Sequence, residues 1–396
     1  MLRKLRILTA GESHGKGLIG IIEGIPARLE LTESQINYDL KRRQGGYGRG
    51  SRMKIEEDEI EILSGVRWGL TLGTPISLLL INKDWTNWQK GMSSKIEDKD
   101  SITPVTRPRP GHADLAGIIK YGHKDARNVL ERSSARETAI KVALGAIAKT
   151  LLSTFNIKIF SLVLSIGGIS LDDDFLYSGY TDFNHISEMA EKSILRCPNE
   201  SLTNKFKELI DLASSEGDTL GGTFAVIVEG LPVGLGNFIN WDLRLDARLS
   251  YAMMGIQAIK AVEIGKGIKL AHSKGSEVMD EIYYQKDKLF YRKTNNAGGV
   301  EGGMTNGMPL VIKCAMKPIP TLKKPLTSVD IKTKETVKAV YERSDVCAVP
   351  SASVIAEAMS ALVIADAFLE KFSGDSINET MNNYNSYLRA IVSDIE

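Results

Sequence analysis

The helical and extended segments of this chain do not take turns. Five stretches carry a 3.6-residue apolar period, at Glu33–Arg43, Arg136–Leu152, Leu202–Leu212, Arg244–Ala261 and Ser351–Lys371. Five short β-rich runs fall at Gly17–Ile25, Ile76–Ile81, Ile159–Ile166, Thr223–Glu229 and Pro309–Ala315. They are mixed without regular β-α-β units, which argues against a doubly wound parallel sheet. The pattern predicts an α+β fold with sheets and helices packed in layers. Ser351, after Pro350, reads as the N-cap of the last helix. The 396 residues could form two or three domains or one large core. No Pro/Gly/Ser linker divides the chain, so a single domain over residues 1–396 is expected. The polar stretch Leu171–Ser201 reads as a surface excursion.

Fifty Lys and Arg against 49 Asp and Glu leave a formal net charge of +1. A general nucleic-acid binder would carry a clear basic excess, so that class is disfavoured. Cys197, Cys314 and Cys347 are far apart and odd in number, with no zinc-type Cys/His spacing. They imply neither a metal site nor a disulfide framework, and point to a reducing cytoplasm. The apolar runs are short or interrupted by Glu357, Ser360 and Asp366, so no membrane span is expected.

Two nucleotide-binding patterns fail on context. Gly15–Gly20 fits G-x-G-x-x-G but leads into a β-like run rather than a helix. Gly11–Gly17 is one residue short of a P-loop and has Gly17 where Ser or Thr should ligate magnesium.

The remaining unusual residues gather in loops. His14 lies between glycines after a short apolar run, where it could approach a ligand closely and exchange a proton near neutrality. Lys41–Lys54 holds six basic residues, four glycines and no acid, and Ile55–Glu61 answers with five acids. The glycines end the helix after Arg43 and allow Arg43, Arg49 and Arg52 to converge on one anion. Arg107–Asp114 presents Arg109 and His112 on a loop stiffened by proline, before a helical stretch at Leu115–Tyr121. Arg132, Ser133 and Ser134 open the helix from Arg136, where hydroxyl and N–H groups suit an anion and Ser134 with Glu137 suits a capping box. Gly298–Gly307 offers backbone for close approach, and Lys317–Thr321 is a second stiffened loop. Arg343 and Asp345 read as an ion pair, and His123, His185 and His272 as surface residues. Many arginines, two well-placed histidines and no metal-ligand set point to a small polyanionic substrate with His as acid or base. The residues alone support a phosphate- and carboxylate-binding lyase or transferase, without naming the reaction.

Taken together, the motifs resemble those of chorismate synthases. The blocks are GESHG (11–15), RRQGGYGRG (42–50), RPGHAD (109–114), LERSSARETA (130–139), GDTLGG (217–222), GIQAIKAVEIG (255–265), NNAGGVEGGMTNG (295–307), KPIPT (317–321) and ERSDVCAVP (342–350). They occur in order from residue 3 to about residue 365. The resemblance implies a β-α-β sandwich, a homotetramer, and anti-1,4-elimination of phosphate from 5-enolpyruvylshikimate 3-phosphate to give chorismate. This is the last common step of aromatic biosynthesis, redox-neutral overall, in which reduced FMN lends an electron and regains it. By matching position, His14 would protonate the departing phosphate, His112 would donate to the reduced flavin, and Asp345 would work with the flavin in removing the C6 proton. Arg43 and Arg49 match residues holding substrate or NADPH, with Arg52, Arg109 and Arg136 as further anion contacts. For FMN the matching positions are Arg132, Ser133, Ser134, Gln257, Ala258, Gly302, Lys317, Pro318, Ile319, Pro320, Thr321 and Arg343. Without a reductase unit in the chain, an external flavin reductase is the expected partner, with NADPH as the alternative reductant. The rival readings are a flavin- or NADPH-dependent oxidoreductase acting on a phosphorylated carboxylate, and a nucleic-acid-binding module.

Overall fold

The computed structural model describes residues 2–49, 57–286, 289–342 and 344–395. Arg52 and Arg343 lie outside the described residues.

Alternation builds the first sheet. Its strands are β1 (Arg6–Gly11), β2 (Gly17–Glu23), β3 (Ile60–Ser64) and β6 (Ile76–Ile81), in the antiparallel order β1-β2-β6-β3. A small ribbon, β4 (Val66–Arg67) with β5 (Leu70–Thr71), precedes β6. In β2 and β6 the register sets Leu18 opposite Leu80, and Ile22 opposite Ile76, all on the buried face. Ile19 and Ile21 point the other way and are exposed.

The second sheet reads differently because both its faces are covered. It comprises β7 (Lys158–Ile166), β8 (Ile169–Ser170), β9 (Gly222–Glu229), β10 (Ile259–Ile264) and β15 (Leu310–Met316), antiparallel in the order β10-β15-β9-β7-β8. Between β10 and β15 lie two hairpins, β11 (Tyr283–Gln285) with β12 (Leu289–Tyr291) and β13 (Val300–Glu301) with β14 (Met304–Thr305). One sheet face meets helices. The other is covered by Leu176, Tyr177, Phe183 and Ala190, which pack on Phe160, Leu164, Ile227 and Val311. The stretch Leu171–Ser201, expected to be a surface excursion, therefore carries a second core cluster. Enough of its sparse apolar residues turn inward to cover the sheet, which its polar average conceals, while Tyr180, Met189 and Ile194 stay exposed.

The helices are α1 (Glu33–Gln44), α2 (Asp114–Tyr121), α3 (Arg127–Ser133), α4 (Thr138–Ser153), α5 (Phe183–Lys192), α6 (Glu200–Glu216), α7 (Leu245–Met254), α8 (Gly275–Val278), α9 (Val349–Lys371) and α10 (Ile377–Ile395). Helix α4 lies on β2 and β6, α9 lies on β7 and β9, and the two pack together. The expected layering is thus observed, with helices between two sheets and one hydrophobic cluster drawing on both. Glycines set the layer spacing. A Cβ on Gly145 of α4 would come within 2.3 Å of Ala358 Cβ on α9, and one on Gly20 within 2.7 Å of Ile140.

Helix α9 is long and apolar enough to cross a membrane, yet 94% of its most apolar 18-residue window is buried inside the protein. Its two interior acids are compensated. Glu357 meets Arg42, Lys149 and Arg196, and Asp366 meets Arg248. Asp366 also accepts from the backbone N–H groups of Arg3, Lys4 and Leu5 at 2.7–3.0 Å. Contrary to expectation, Ser351 does not cap α9. The helix begins at Val349 with Pro350 in its first turn, and the Ser351 hydroxyl donates to the carbonyl of Arg43. The helix expected over Arg244–Ala261 stops at Met254. Ala258 takes a positive φ of 69°, reversing the chain so that Ile259–Ile264 pairs with β15.

Candidate functional site

The loop after β1 brings His14 to a carboxylate. Glu131 on α3 accepts from His14 Nδ1 at 2.9 Å and from the His14 backbone N–H at 2.8 Å. A carboxylate only accepts, so this contact places the proton on Nδ1 and leaves Nε2 as the nitrogen for exchange with a ligand. Nε2 lies 3.9 Å from Asp84, and the ring packs on Trp88 with centroids 4.3 Å apart. Burial pushes the Glu131 carboxyl upward, but His14 and Arg127 outweigh it and hold the group below the usual range.

His112 repeats the pattern. Its Nδ1 is 2.6 Å from Asp114 Oδ1, and Asp114 also accepts from Arg109 Nε at 2.8 Å. Asp114 is fully buried, which opposes ionisation, yet His112 and Arg109 together hold it well below the usual carboxylate range. Arg109 NH1 reaches on to Thr321 Oγ1 at 3.1 Å, and the Lys317 ammonium donates to the carbonyl of Gly111. The loops at 109–114 and 317–321 thus meet. Burial and the neighbouring Lys260 lower the Lys317 ammonium pKa.

Arginines line the region beside His14. Arg136 donates to Asn82 Oδ1 at 3.0 and 2.9 Å and to Asp58 at 2.5 Å. Asn82 in turn donates to the carbonyls of Gly15 and Glu12, binding this arginine to the His14 loop. Arg43 also reaches Asp58, at 3.4 Å, and Thr138 at 3.0 Å. Burial, together with Arg49 and Arg136 nearby, pulls the Arg43 guanidinium down to about 10. Arg49 pairs with Asp345 at 3.2 Å. Arg43 and Arg49 thus approach one another as expected, but Arg43 is buried against Asp58 rather than offered from a flexible loop. Arg109 stands with His112 instead of with these arginines.

Of the positions matched to FMN, Arg132 donates to the carbonyls of Gly11 and Thr9 at 3.1 and 3.0 Å. Ser134 caps the short turn Ala135–Glu137 and lies 3.3 Å from Ser13. Glu137 does not complete a capping box, because its carboxylate accepts from Gln257 at 3.1 Å and pairs with Lys141. Ser133 donates to its own helix at Val129. The carbonyl of Ala258 accepts from the Lys317 backbone N–H, and that of Ile319 accepts from Thr219. Gly302 sits on the β13–β14 hairpin at φ 58°, with open space where a Cβ would be.

Sequence reasoning gave no role to Glu131, Asp114, Asp58 or Asn82. The first two sit inside noticed motifs. Asp58 is one of five acids within seven positions, and Asn82 follows a strand with nothing to mark it. A cavity of about 410 Å³ on the second sheet is lined by Thr223, Ala261, Glu263 and Lys313, but Lys313 is already paired with Glu263 and Asp173. The cysteines are buried, Cys314 pushed up to about 12 and Cys347 to about 11 by burial, so neither serves as a nucleophile.

Comparison with known proteins settles the family. The chorismate synthase family profile matches residues 5–369. The chain belongs to the chorismate synthase family. Chorismate synthase of Geobacter metallireducens is 54% identical over 391 residues, covering 97% of this chain and 98% of that one. Chorismate synthase of Aquifex aeolicus is 54% identical over 395 residues, covering 99% of each. A crystal structure of chorismate synthase superimposes with a TM-score of 0.82 at 44% identity, over 99% of this chain and all of that one. The layered α+β architecture is therefore that of a chorismate synthase.

Proposed function

We propose that this enzyme converts 5-enolpyruvylshikimate 3-phosphate to chorismate and phosphate in the presence of reduced FMN, as one folding unit over residues 1–396. The observation that carries the reading is a pair of histidines, each backed by a buried carboxylate, with Arg43, Arg49 and Arg136 beside the first. A substrate with a phosphate and two carboxylates needs such arginines. His14, its Nδ1 proton directed to Glu131, delivers a proton to the departing phosphate through Nε2. His112, fixed by Asp114, holds a proton toward the flavin. Asp345, paired with Arg49 at 3.2 Å, is assigned to removal of the C6 proton. Arg52 completes the anion contacts.

FMN suits residues on this chain. Gln257 Oε1 is buried without a hydrogen-bond partner, Gly302 leaves open space, and Arg132 and Lys317 supply cations. These residues, with Ser133, Ser134, Ala258, Pro318, Ile319, Pro320, Thr321 and Arg343, would hold the cofactor. When bound and reduced it supplies the transient electron that makes phosphate departure feasible. Homotetrameric assembly belongs to the same reading, supported by exposed Phe238, Trp241, Tyr251 and Met254. So do a cytoplasmic setting and an external flavin reductase, or NADPH, as electron source.

The test is an anaerobic assay with 5-enolpyruvylshikimate 3-phosphate and catalytic, chemically reduced FMN, following both products. Equal release of chorismate and phosphate without net use of reductant is expected. Reductant consumed in step with product would make the enzyme an oxidoreductase instead.

A further inference from the structure

Arg43 and Arg136 belong to different elements, the end of α1 and the turn before α4, yet both guanidinium groups end on one carboxylate. Asp58 accepts from Arg136 at 2.5 Å and from Arg43 at 3.4 Å, and its side chain is wholly buried. Each arginine has a second anchor that is neutral: Asn82 for Arg136, and Thr138 with the Ala135 carbonyl for Arg43. Asp58 is thus a carboxylate shared by two cations. Two buried cations side by side repel, and a carboxylate between them relieves that repulsion.

We infer that Asp58 is an internal counter-anion, a positioning residue that keeps Arg43 and Arg136 oriented when no substrate is bound and cedes part of its hold to the anionic groups of the substrate. This rests on reading the two arginines as part of the substrate site. Their neutral anchors keep both guanidinium groups in place during the exchange. Asp58 itself touches no reacting atom. Its presence lowers the affinity for any free anion, because each must compete with a carboxylate already seated, and in return the arginines are ordered before binding.

The probe is inorganic phosphate, titrated calorimetrically into the full-length protein. Asp58→Asn is expected to bind phosphate about tenfold more tightly than the wild type, because the competing charge is gone. The same variant should lose turnover by about tenfold or more without a rise in substrate KM, since its arginines are no longer ordered beforehand. Phosphate should also raise the melting temperature of the variant more than that of the wild type. Unchanged or weaker phosphate binding by folded Asp58→Asn overturns the proposal, as does phosphate binding by neither protein. If the variant folds only in phosphate buffer, the replacement of Asp58 by a bound anion is supported. If it folds in neither buffer, Asp58 is structural and the proposal fails. The anaerobic assay on the wild type tests the reaction itself, so the two failures are separable.

Discussion

His14 and His112 share one feature, a ring whose Nδ1 is tied to a buried carboxylate, and at His112 the Arg109 guanidinium also lies 3.1 Å from Nδ1 and 3.4 Å from Nε2. Proton transfer by a positioned side chain contributes roughly 10²–10⁴ in rate, so His14→Ala and His112→Ala should each lose turnover by about that factor while FMN binding persists. Wild-type rates in either variant would remove that histidine from the reaction. Asp345→Asn should bind substrate and FMN but stall at proton removal, and unaltered single-turnover kinetics would reduce Asp345 to the ion-pair partner of Arg49. The histidines were legible because His between glycines or prolines is an unusual placement. Their carboxylates were not. Glu131 and Asp114 acquire meaning only when α3 and α2 turn them toward a ring, and five acids within seven positions give no reason to single out Asp58.

At the scale of elements, α9 concentrates the demands of the fold. It buries nearly every side chain, so its partners must be small or charge-matched. Gly145→Ala tests the first condition. Alanine is the better helix former by about 1 kcal/mol, but its Cβ would meet Ala358 at 2.3 Å, and such overpacking costs about 1–3 kcal/mol. Net destabilisation in urea melts is expected, and adding Ala358→Gly should not restore stability, because the Cα and carbonyl oxygen of residue 358 would still lie 2.6 and 2.7 Å from the new Cβ. Glu357 tests the second. Glu357→Ala leaves Arg42, Lys149 and Arg196 short of a shared buried anion and should cost about 3–5 kcal/mol. A loss under 1 kcal/mol would mean that Asp39, which also pairs with Arg42 and Lys149, and Glu191, which also pairs with Arg42 and Arg196, suffice. The sequence carried most of these elements, since apolar periodicity marks any helix or strand with a distinct inner face. It misled at Arg244–Ala261, where the apolar period continues through a reversal made by one left-handed alanine. It misled again at Leu171–Ser201, where few apolar residues are enough to cover a sheet face.

For the whole molecule, acid is the relevant stress. Asp114, Glu131, Asp173, Glu191 and Glu357 are all held below their ordinary range by cationic partners that outweigh the cost of burial. As pH falls through about 4, the unfolded chain takes up protons before the folded one does, so the stability these groups supply is present at neutral pH and drains away below that point. Melting temperature should be nearly flat from pH 6 to 8 and fall steeply below about 4, with a shallower fall in Glu131→Gln. An equal slope in that variant would show that Glu131 is not among the groups responsible.

The carboxylate of Asp366, which gathers the first backbone amides of the chain, also sets a schedule. Residues 3–5 leave the ribosome 361–363 residues ahead of the side chain that receives their N–H groups. At about 5–20 residues per second that interval is roughly 20 to 70 s, far longer than a hairpin needs to form. During it the amides that lead into β1 lack this acceptor. The newborn enzyme must therefore pass much of its synthesis with the segment that leads into its oldest strand waiting for α9, and that is when holdase chaperones would find it.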